Sequence, residues 1–242
     1  MLNLIPKTIR RKIERPLKKF FYFGNKKFCP ICKSSIRAFY PDPQDGRPGA
    51  VCPVCNSQER FRMLWTFIDS KYDELFANKP CKILHVAPER EIEKRLRGMP
   101  GIDYLSADLE NPNAMMKMDL TSIQFEDNYF DTIICCHVLE HIPDDVTALK
   151  ELFRVVKPGG SVLIQVPGLL VKTFEDTSDM NINDRKFIFR HESHYHLYGL
   201  DLIARMTEVG FTANYYYASD ILNKDKCLSY GINQQRMFYG IK

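Results

Sequence analysis

The chain has 242 residues, of which 45% are hydrophobic and 26% charged, and its net charge is +4. This length and composition suffice for one complete α/β core plus a small appended module. No apolar run approaches the length of a membrane-spanning helix and no export signal is visible, so the eight cysteines are expected as reduced thiols in a cytoplasmic protein, which excludes a disulfide-bonded secreted one.

Residues 1–28 form a basic arm. Nine of them are Lys or Arg and one is acidic, which gives the arm a charge of +8 and the rest of the chain −4. Isoleucines recur at every fourth residue up to Leu17, and Phe20, Phe21 and Phe23 follow, as in an amphipathic helix on an anionic membrane surface. A solvated tail or a helix docked on its own domain fits the pattern equally well, and a nucleic-acid arm is a third alternative.

Two Cys-x2-Cys pairs follow the arm, Cys29 with Cys32 and Cys52 with Cys55, and nineteen residues separate them. Such pairs can present four thiolates to one zinc ion, and a complete cysteine shell makes the metal structural. The alternative is a set of structural or redox thiols. Because turn-forming residues dominate between the pairs, the metal would supply the folding free energy that this segment lacks.

A helical apolar stripe over 57–76 joins this ribbon to the rest of the chain. The sequence therefore predicts three parts: the arm, a zinc ribbon with its linking helix over 29–78, and a catalytic domain over 79–242.

The catalytic domain begins with a predicted strand over 82–86 and a helix over 89–96. Ligands bind at the carboxyl ends of the strands in open parallel sheets. The second strand, over 104–107, ends at Asp108, about twenty residues past the first loop, where a carboxylate can accept both hydroxyls of a ribose.

A βαβ half-unit lies between Met118 and Pro167. An apolar run over 132–136 predicts a buried strand, and Asp144 or Asp145 is a good N-cap for the next helix. Pro158-Gly159-Gly160 is expected to stop that helix and turn the chain into a strand over 161–166.

The sequence motifs of this half-unit resemble those of the type 11 group of class I S-adenosylmethionine-dependent methyltransferases. The motifs are Asp131 before the strand, Leu139-Glu140-His141 after it, and Arg154-Val-Val-Lys-Pro-Gly-Gly. The resemblance implies an α/β fold: a Rossmann-like methyltransferase sheet, mostly parallel with helices on both faces, behind a small N-terminal zinc ribbon. One departure is the first loop, where the family usually has Gly-x-Gly and this chain has Ala87-Pro88. In that loop the chain resembles a ribbon-bearing subgroup with His-x-Ala-Pro-Glu.

The resemblance also implies the cofactor contacts. Asp119 matches the position that accepts a hydrogen bond from the adenine amine, and Leu120 the position whose N–H binds the ring. Asp108 and Asp119 each have an alternative role as a turn or cap residue. The expected set of S-adenosylmethionine contacts is Val86, Ala87, Glu89, Asp108, Leu109, Asp119, Leu120 and Cys136.

Histidines are the candidate catalytic residues, because an oxygen acceptor must lose a proton. His137 follows the strand over 132–136, which is counted as the fourth strand of the sheet, and His194 and His196 belong to a cluster with His191 and Glu192. The cluster suggests metal ligation or, as the resemblance favours, a loop at the mouth of the active site. The long polar segment over 168–199 is read as a lid over the acceptor.

The leading hypothesis is a methyltransferase that acts on a small-molecule, sugar or glycan oxygen, because Cys-Cys-His follows the fourth strand in place of the motif typical of amine methylation on bases. An RNA methyltransferase that uses the ribbon and the arm is the first alternative, although the chain outside the arm is net acidic. A non-catalytic scaffold that has lost its cofactor is the second.

Overall fold

The structure is a computed structural model that describes residues 7–168, 170–176, 178–189, 191–232 and 235–242, with side chains of the first helix described from residue 14 onward. The isoleucines of the predicted amphipathic stripe lie outside the described side chains. The chain divides into two compact units. Unit 1 comprises Met1–Ser70 and Tyr217–Gln235, and unit 2 comprises Lys71–Tyr216 and Arg236–Lys242. The second segment of unit 1 had been predicted as part of the catalytic domain.

The helices are α1 Lys7–Phe21, α2 Glu59–Ser70, α3 Tyr72–Leu75, α4 Arg90–Leu96, α5 Asp145–Val155, α6 Ile182–Phe189, α7 Leu202–Glu208, α8 Ala218–Ile221 and α9 Lys224–Tyr230, with a 3-10 helix at Leu139–His141. The strands are β1 Phe23–Cys29, β2 Ser34–Ile36, β3 Cys81–Val86, β4 Ile102–Asp108, β5 Met116–Lys117, β6 Phe130–Cys136, β7 Val156–Gln165, β8 Phe174–Glu175, β9 His196–Leu197, β10 Thr212–Tyr217 and β11 Arg236–Ile241. None of the described helices combines the length and the apolar composition needed to cross a membrane.

Unit 1 is built around the antiparallel pair of β1 and β2, whose register places Cys29 opposite Ser34. The tight turn between the strands carries the first cysteine pair. A residue with left-handed backbone directly follows each pair, namely Lys33 with a φ of 52° and Asn56 with a φ of 62°. Helices α2 and α9 pack in the same unit, and the rings of Phe28 and Tyr230 lie 5.6 Å apart.

Unit 2 contains a seven-stranded sheet in the order β10-β11-β7-β6-β3-β4-β5. Strands β3 to β7 are parallel where they pair, and β11 runs antiparallel to β7. The mostly parallel α/β sheet that the sequence predicts is therefore confirmed. Because β3 pairs with β4 on one side and β6 on the other, the topological switch point lies at the carboxyl ends of β3 and β6.

The core of unit 2 consists of the buried strands β3, β6 and β7 and the inner face of α5. Leu149 and Leu152 of that helix are fully buried, and Asp144 caps it by accepting a hydrogen bond from the Thr147 N–H at 3.0 Å. The strand predicted to begin at Ser161 begins instead at Val156, so the Pro158–Gly160 stretch lies inside β7.

Candidate functional site

Four neighbouring parallel strands of unit 2 end at the same edge of the sheet. Their last residues are Val86, Asp108, Lys117 and Cys136. In register, Val86 lies beside Ala107 on one side and Cys135 on the other. The residues predicted to contact the cofactor are therefore grouped at one edge, which includes the switch point.

Ala87, directly after β3, has a φ of +46°, in the left-handed region that favours glycine. Its N–H donates to the Ala107 carbonyl at 2.8 Å, which continues the sheet pairing one residue beyond the strand. An alanine there costs about 1–2 kcal/mol more than a residue in the right-handed region. The backbone thus adopts a glycine conformation although the sequence lacks glycine.

A buried hydrogen-bonded group holds this loop, and the sequence analysis did not identify it. The fully buried ring of His85 lies 2.9 Å from the Tyr104 hydroxyl through Nδ1 and 2.8 Å from Glu89 Oε2 through Nε2. Burial raises the pKa of Tyr104, so its hydroxyl stays protonated. Glu89 is the N-cap of α4. Its hydrogen bond to His85 joins the two ends of the loop that contains Ala87. A histidine inside an apolar strand with a glutamate four residues later was the available signal.

The two acids predicted to bind the cofactor each use one oxygen in a local turn. Asp108 Oδ1 accepts the N–H groups of Glu110 and Asn111 at 2.9 and 2.8 Å. Asp119 Oδ1 accepts the Thr121 N–H and hydroxyl, both at 2.8 Å. The turn-residue alternative is thus present at both positions. In each carboxylate Oδ2 makes no hydrogen bond to the described residues, so both turns leave one oxygen for a ligand.

The apolar members of the predicted cofactor set differ in exposure. Leu109 is half exposed, at 51%, whereas Leu120 is buried. Cys136 is buried at the end of β6, and burial raises the pKa of its thiol well above the ordinary value. The thiol is therefore neutral and contributes packing, not charge, at this edge.

His137 follows β6 and also has left-handed backbone, with a φ of +56°. Its ring Nδ1 lies 3.2 Å from Oε1 of the fully buried Glu140. Its backbone N–H donates a hydrogen bond to the Gln165 carbonyl at 2.6 Å. Burial opposes ionisation of Glu140, but the hydrogen bond to His137 helps to hold the pKa of this carboxyl below its usual value. Nε2 of His137 is buried and has no hydrogen-bond partner among the described residues.

The other two candidate histidines have different surroundings. His196 is buried, and its Nε2 donates to the Ile142 carbonyl at 2.9 Å while Nδ1 lies 3.3 Å from Glu175. His194 is half-buried, and burial lowers its pKa to about 4. The structure brings His194 together with His191 and His141, and does not bring it together with His196.

The two cysteine pairs of unit 1 converge. Cys29 Sγ lies 3.7 Å from Cys55 Sγ, Cys32 Sγ lies 3.8 Å from Cys52 Sγ, and all four sulfurs lie within 4.8 Å of one another. Zinc–sulfur bonds of about 2.3 Å in a tetrahedron require sulfurs about 3.8 Å apart. Hydrogen bonds from the other three cysteines lower the pKa of the Cys29 thiol, which favours the thiolate form that binds metal. The spacing of the four thiols, and the burial of all but Cys55, fit a zinc ion.

Arg62 of α2 is fully buried in the same unit, and the sequence analysis missed it. Its guanidinium donates to the carbonyls of Ala50 and Ser57 at 2.9 Å and of Tyr230 at 2.7 Å, and it lies 3.7 Å from the centre of the Phe39 ring. Burial lowers its pKa to about 10, against the opposing influence of the cysteine thiolates, so it remains a cation beside the cluster.

Comparison with known proteins supports the class I methyltransferase resemblance for the sheet unit. Residues 93–164 match the family model described as a methyltransferase domain. The solved structure of a SAM-dependent methyltransferase from Archaeoglobus fulgidus superimposes with a TM-score of 0.50 at 13% identity, covering 77% of this chain and 95% of that one. This likeness shows the Rossmann-like methyltransferase fold.

Curated relatives match the chain over short stretches. A demethylmenaquinone methyltransferase of Bacillus pumilus is 43% identical over 60 residues, which are 25% of this chain and 23% of that protein. A tRNA U34 carboxymethyltransferase of Nautilia profundicola is 35% identical over 85 residues, 31% of this chain and 28% of that protein. The matches span less than a third of these relatives, and the two names differ in their acceptors.

Proposed function

We propose that this protein is an S-adenosylmethionine-dependent methyltransferase that methylates an oxygen of a small molecule, sugar or glycan. The observation that carries the proposal is the edge where β3, β4 and β6 end. There, Ala87 holds a glycine conformation, Asp108 has a free carboxylate oxygen, and His137 follows the neighbouring strand with strained backbone. A non-glycine residue with left-handed backbone is strained, and it keeps this conformation only where the surrounding structure enforces it. Such residues are concentrated at ligand-binding sites. The family match supports methyl transfer as the reaction.

The cofactor would occupy this edge. Asp108 Oδ2 would accept the ribose hydroxyls, and Asp119 Oδ2 would accept the adenine amine. The left-handed turn at Ala87 lets the backbone approach the ligand closely. S-adenosylmethionine supplies an activated methyl group on a sulfonium, so the protein must align the acceptor oxygen with that group and take up the proton it loses.

His137 is the base that we propose. Glu140 accepts the Nδ1–H, which fixes the tautomer and leaves the Nε2 lone pair for a proton, as in carboxylate–histidine pairs of hydrolases. His196 suits this role less, because its Nε2 is committed to a backbone carbonyl and its Nδ1 faces Glu175. We assign His196 to holding the lid segment near β8 and β9.

The decisive experiment is titration calorimetry with S-adenosylhomocysteine. Wild-type protein is expected to bind it, and His137→Gln is expected to bind it equally well while losing methyl transfer to any oxygen acceptor found by screening. Absence of measurable binding by wild-type protein would replace the enzyme proposal with the non-catalytic scaffold.

We also propose that Cys29, Cys32, Cys52 and Cys55 hold one structural zinc ion. All eight cysteines are free thiols in the structure, and the location that we propose is the cytoplasm, a reducing compartment. Elemental analysis of protein prepared without chelators should give one zinc per chain from this cluster.

The arm is proposed to contact an anionic membrane. Phe20, Phe21 and Phe23 are 78%, 63% and 68% exposed next to the lysines at the end of α1, so apolar and cationic groups are available together. Full-length protein should bind vesicles that contain phosphatidylserine and release them at high salt, whereas protein starting at Lys26 should not bind. Equal vesicle binding with and without the arm would refute the proposal, and salt-dependent RNA binding through the arm would favour the RNA alternative.

A further inference from the structure

Three of the six histidines form a cluster that the proposed methyl transfer does not use. His141 belongs to the 3-10 helix after β6, and His191 and His194 belong to the segment after α6. The ring centres lie 4.5 Å apart for His191 and His194, 4.7 Å for His141 and His194, and 5.4 Å for His141 and His191. We propose that these three side chains bind a divalent transition metal ion, zinc being the one tested, with at least one open coordination position.

The distances suit such an ion. One ring nitrogen of each histidine lies within 4.8 Å of the other two. Zinc–nitrogen bonds of about 2.0–2.1 Å in a tetrahedron require nitrogens about 3.3 Å apart, so the rings need to approach one another by at most about 1.5 Å. His191 is exposed on the lid segment, and a change of side-chain torsion can supply this movement.

The hydrogen bonds leave ligand atoms available. Ser193 Oγ lies 2.8 Å from His141 Nδ1 and 3.0 Å from His191 Nδ1. A hydroxyl oxygen can accept two N–H groups, which would leave the lone pairs of both Nε2 atoms for a metal, as the outer-shell partners of metal-bound histidines do. The weak 3.3 Å contact from the Ser193 N–H to His191 Nδ1 would then be lost.

His194 adds an unsatisfied buried atom. Its Nδ1 is buried and has no hydrogen-bond partner among the described residues, a condition that costs free energy unless a ligand satisfies it. A metal ion would satisfy this atom.

A buried negative charge favours a cation at this place. Glu140 adjoins His141 in the 3-10 helix. Its negative charge stabilises positive charge at the positions of His141 and His194. Its Oε2 is buried without a partner among the described residues. A divalent ion beside this one carboxylate would leave a net charge of +1.

Three imidazole ligands leave a position for a fourth, oxygen-bearing ligand, which distinguishes this site from the closed four-cysteine cluster. We infer that the hydroxyl of the acceptor, or water in its absence, takes this position. Only that identification rests on the proposed function. Metal binding by the three rings does not depend on methyl transfer.

The test is a zinc titration of the full chain, purified with its cysteine cluster filled and dialysed against a weak chelator. Calorimetry should show one additional ion per chain for wild-type protein. His191→Ala and His194→Ala should each weaken the binding of this ion at least about tenfold. Glu192→Gln is the matched control, because it changes an exposed neighbour in the same segment and should leave the additional ion in place.

Cobalt substitution separates the two sites, because thiolate ligands give a charge-transfer absorption band that imidazoles do not give. The cobalt ion added last should bind without strengthening that band. The proposal is overturned if wild-type protein takes up no additional ion, if the additional ion strengthens the thiolate band, or if Glu192→Gln weakens binding as much as the histidine variants do. These outcomes leave the cofactor calorimetry, and with it the proposed function, untouched.

Discussion

The two units obtain their stability from different sources. In unit 2 the parallel strands β3, β6 and β7 are almost wholly buried and pack on α5, so burial of apolar surface is sufficient to hold the fold. Unit 1 has short strands and long turns. At its centre lie four thiols and a buried arginine that bonds to carbonyls from three separate stretches of chain.

The comparison shows where each unit is vulnerable. A sheet core loses stability gradually as individual apolar side chains are removed. If the four thiols hold the proposed zinc ion, unit 1 depends instead on a few polar atoms. The proposed zinc ion with four thiolates would carry a charge of −2, and the Arg62 guanidinium would offset half of it.

Loss of the metal should have the largest effect. Cys52→Ser removes one of the four thiolates, and the free energy from metal binding, on the order of 10 kcal/mol or more for structural zinc, would be largely lost. Unit 1 should unfold while unit 2 remains folded. Hydrogen exchange followed by mass spectrometry should show lost protection over 23–70 and 218–230 and retained protection over 130–165.

The matched control for this experiment is Cys227→Ser. Cys227 is a buried cysteine of α9 in the same unit, but it lies outside the four-thiol cluster. This variant should keep its zinc. Retention of zinc by Cys52→Ser, or loss of protection in unit 2 as extensive as in unit 1, would contradict the expectation that only unit 1 depends on the metal.

Arg62→Met should be the next most damaging change. Methionine retains an apolar side chain but leaves several buried carbonyls without their donor, at about 1–3 kcal/mol each, so we expect unit 1 to lose about 3–5 kcal/mol. Arg62→Lys should fall between wild type and methionine, since an ammonium keeps the charge but not the planar fork. Urea unfolding monitored by hydrogen exchange in unit 1 measures both effects.

Arg97→Met is the surface control, because the Arg97 side chain is 55% exposed and pairs with Glu93 on α4. Such pairs contribute about 0–1 kcal/mol. If Arg62→Met were as mild as this control, Arg62 would not organise unit 1.

The difference between the units also explains what the sequence could predict. Apolar runs indicate buried parallel strands directly, and strands ending at one edge place Asp108, Asp119 and His137 near a common site by topology alone. The convergence of the four cysteines follows from their spacing. The presence of α8 and α9 in unit 1 could not be predicted, because short polar segments lack periodicity. In addition, Arg62 binds the carbonyls at the end of α9 through contacts distant in sequence.

Two further features required the structure. The start of β7 was misplaced because Gly159 and Gly160 read as a turn. Instead, a side chain at Gly160 would lie 2.8 Å from the Asp131 carbonyl, so glycine is needed where two strands approach closely. The bond between His85 and Tyr104 joins adjacent strands, which no local pattern encodes.

Among substitutions at the proposed cofactor-binding edge of unit 2, Asp108→Asn should have the largest effect on cofactor affinity. Asparagine keeps an oxygen to cap the turn at Glu110 and Asn111 but removes the charge and the second acceptor. Charge-assisted hydrogen bonds contribute about 1.5–3 kcal/mol each, so the affinity for S-adenosylhomocysteine should fall at least about tenfold.

Asp119→Asn, measured by the same calorimetry, should weaken binding less than Asp108→Asn, because the adenine amine is a single neutral donor. Both variants should retain the thermal stability of wild-type protein, since each keeps its turn-capping oxygen. The reverse order of affinities would exchange the roles assigned to these two acids.

The smallest expected effect is also the most specific test of the loop. Ala87→Gly removes the strain of a side chain at a φ of +46°, but it increases the freedom of the unfolded chain, so unit 2 should gain between 0 and about 1 kcal/mol. Cofactor affinity should stay the same or rise. Ala87→Val is the informative counterpart, because a β-branched residue tolerates positive φ poorly, and it should destabilise unit 2 and weaken S-adenosylhomocysteine binding. If valine were accepted without loss of stability or affinity, the left-handed turn would not be a requirement of the site, and the loop would hold the cofactor by other means than close backbone approach.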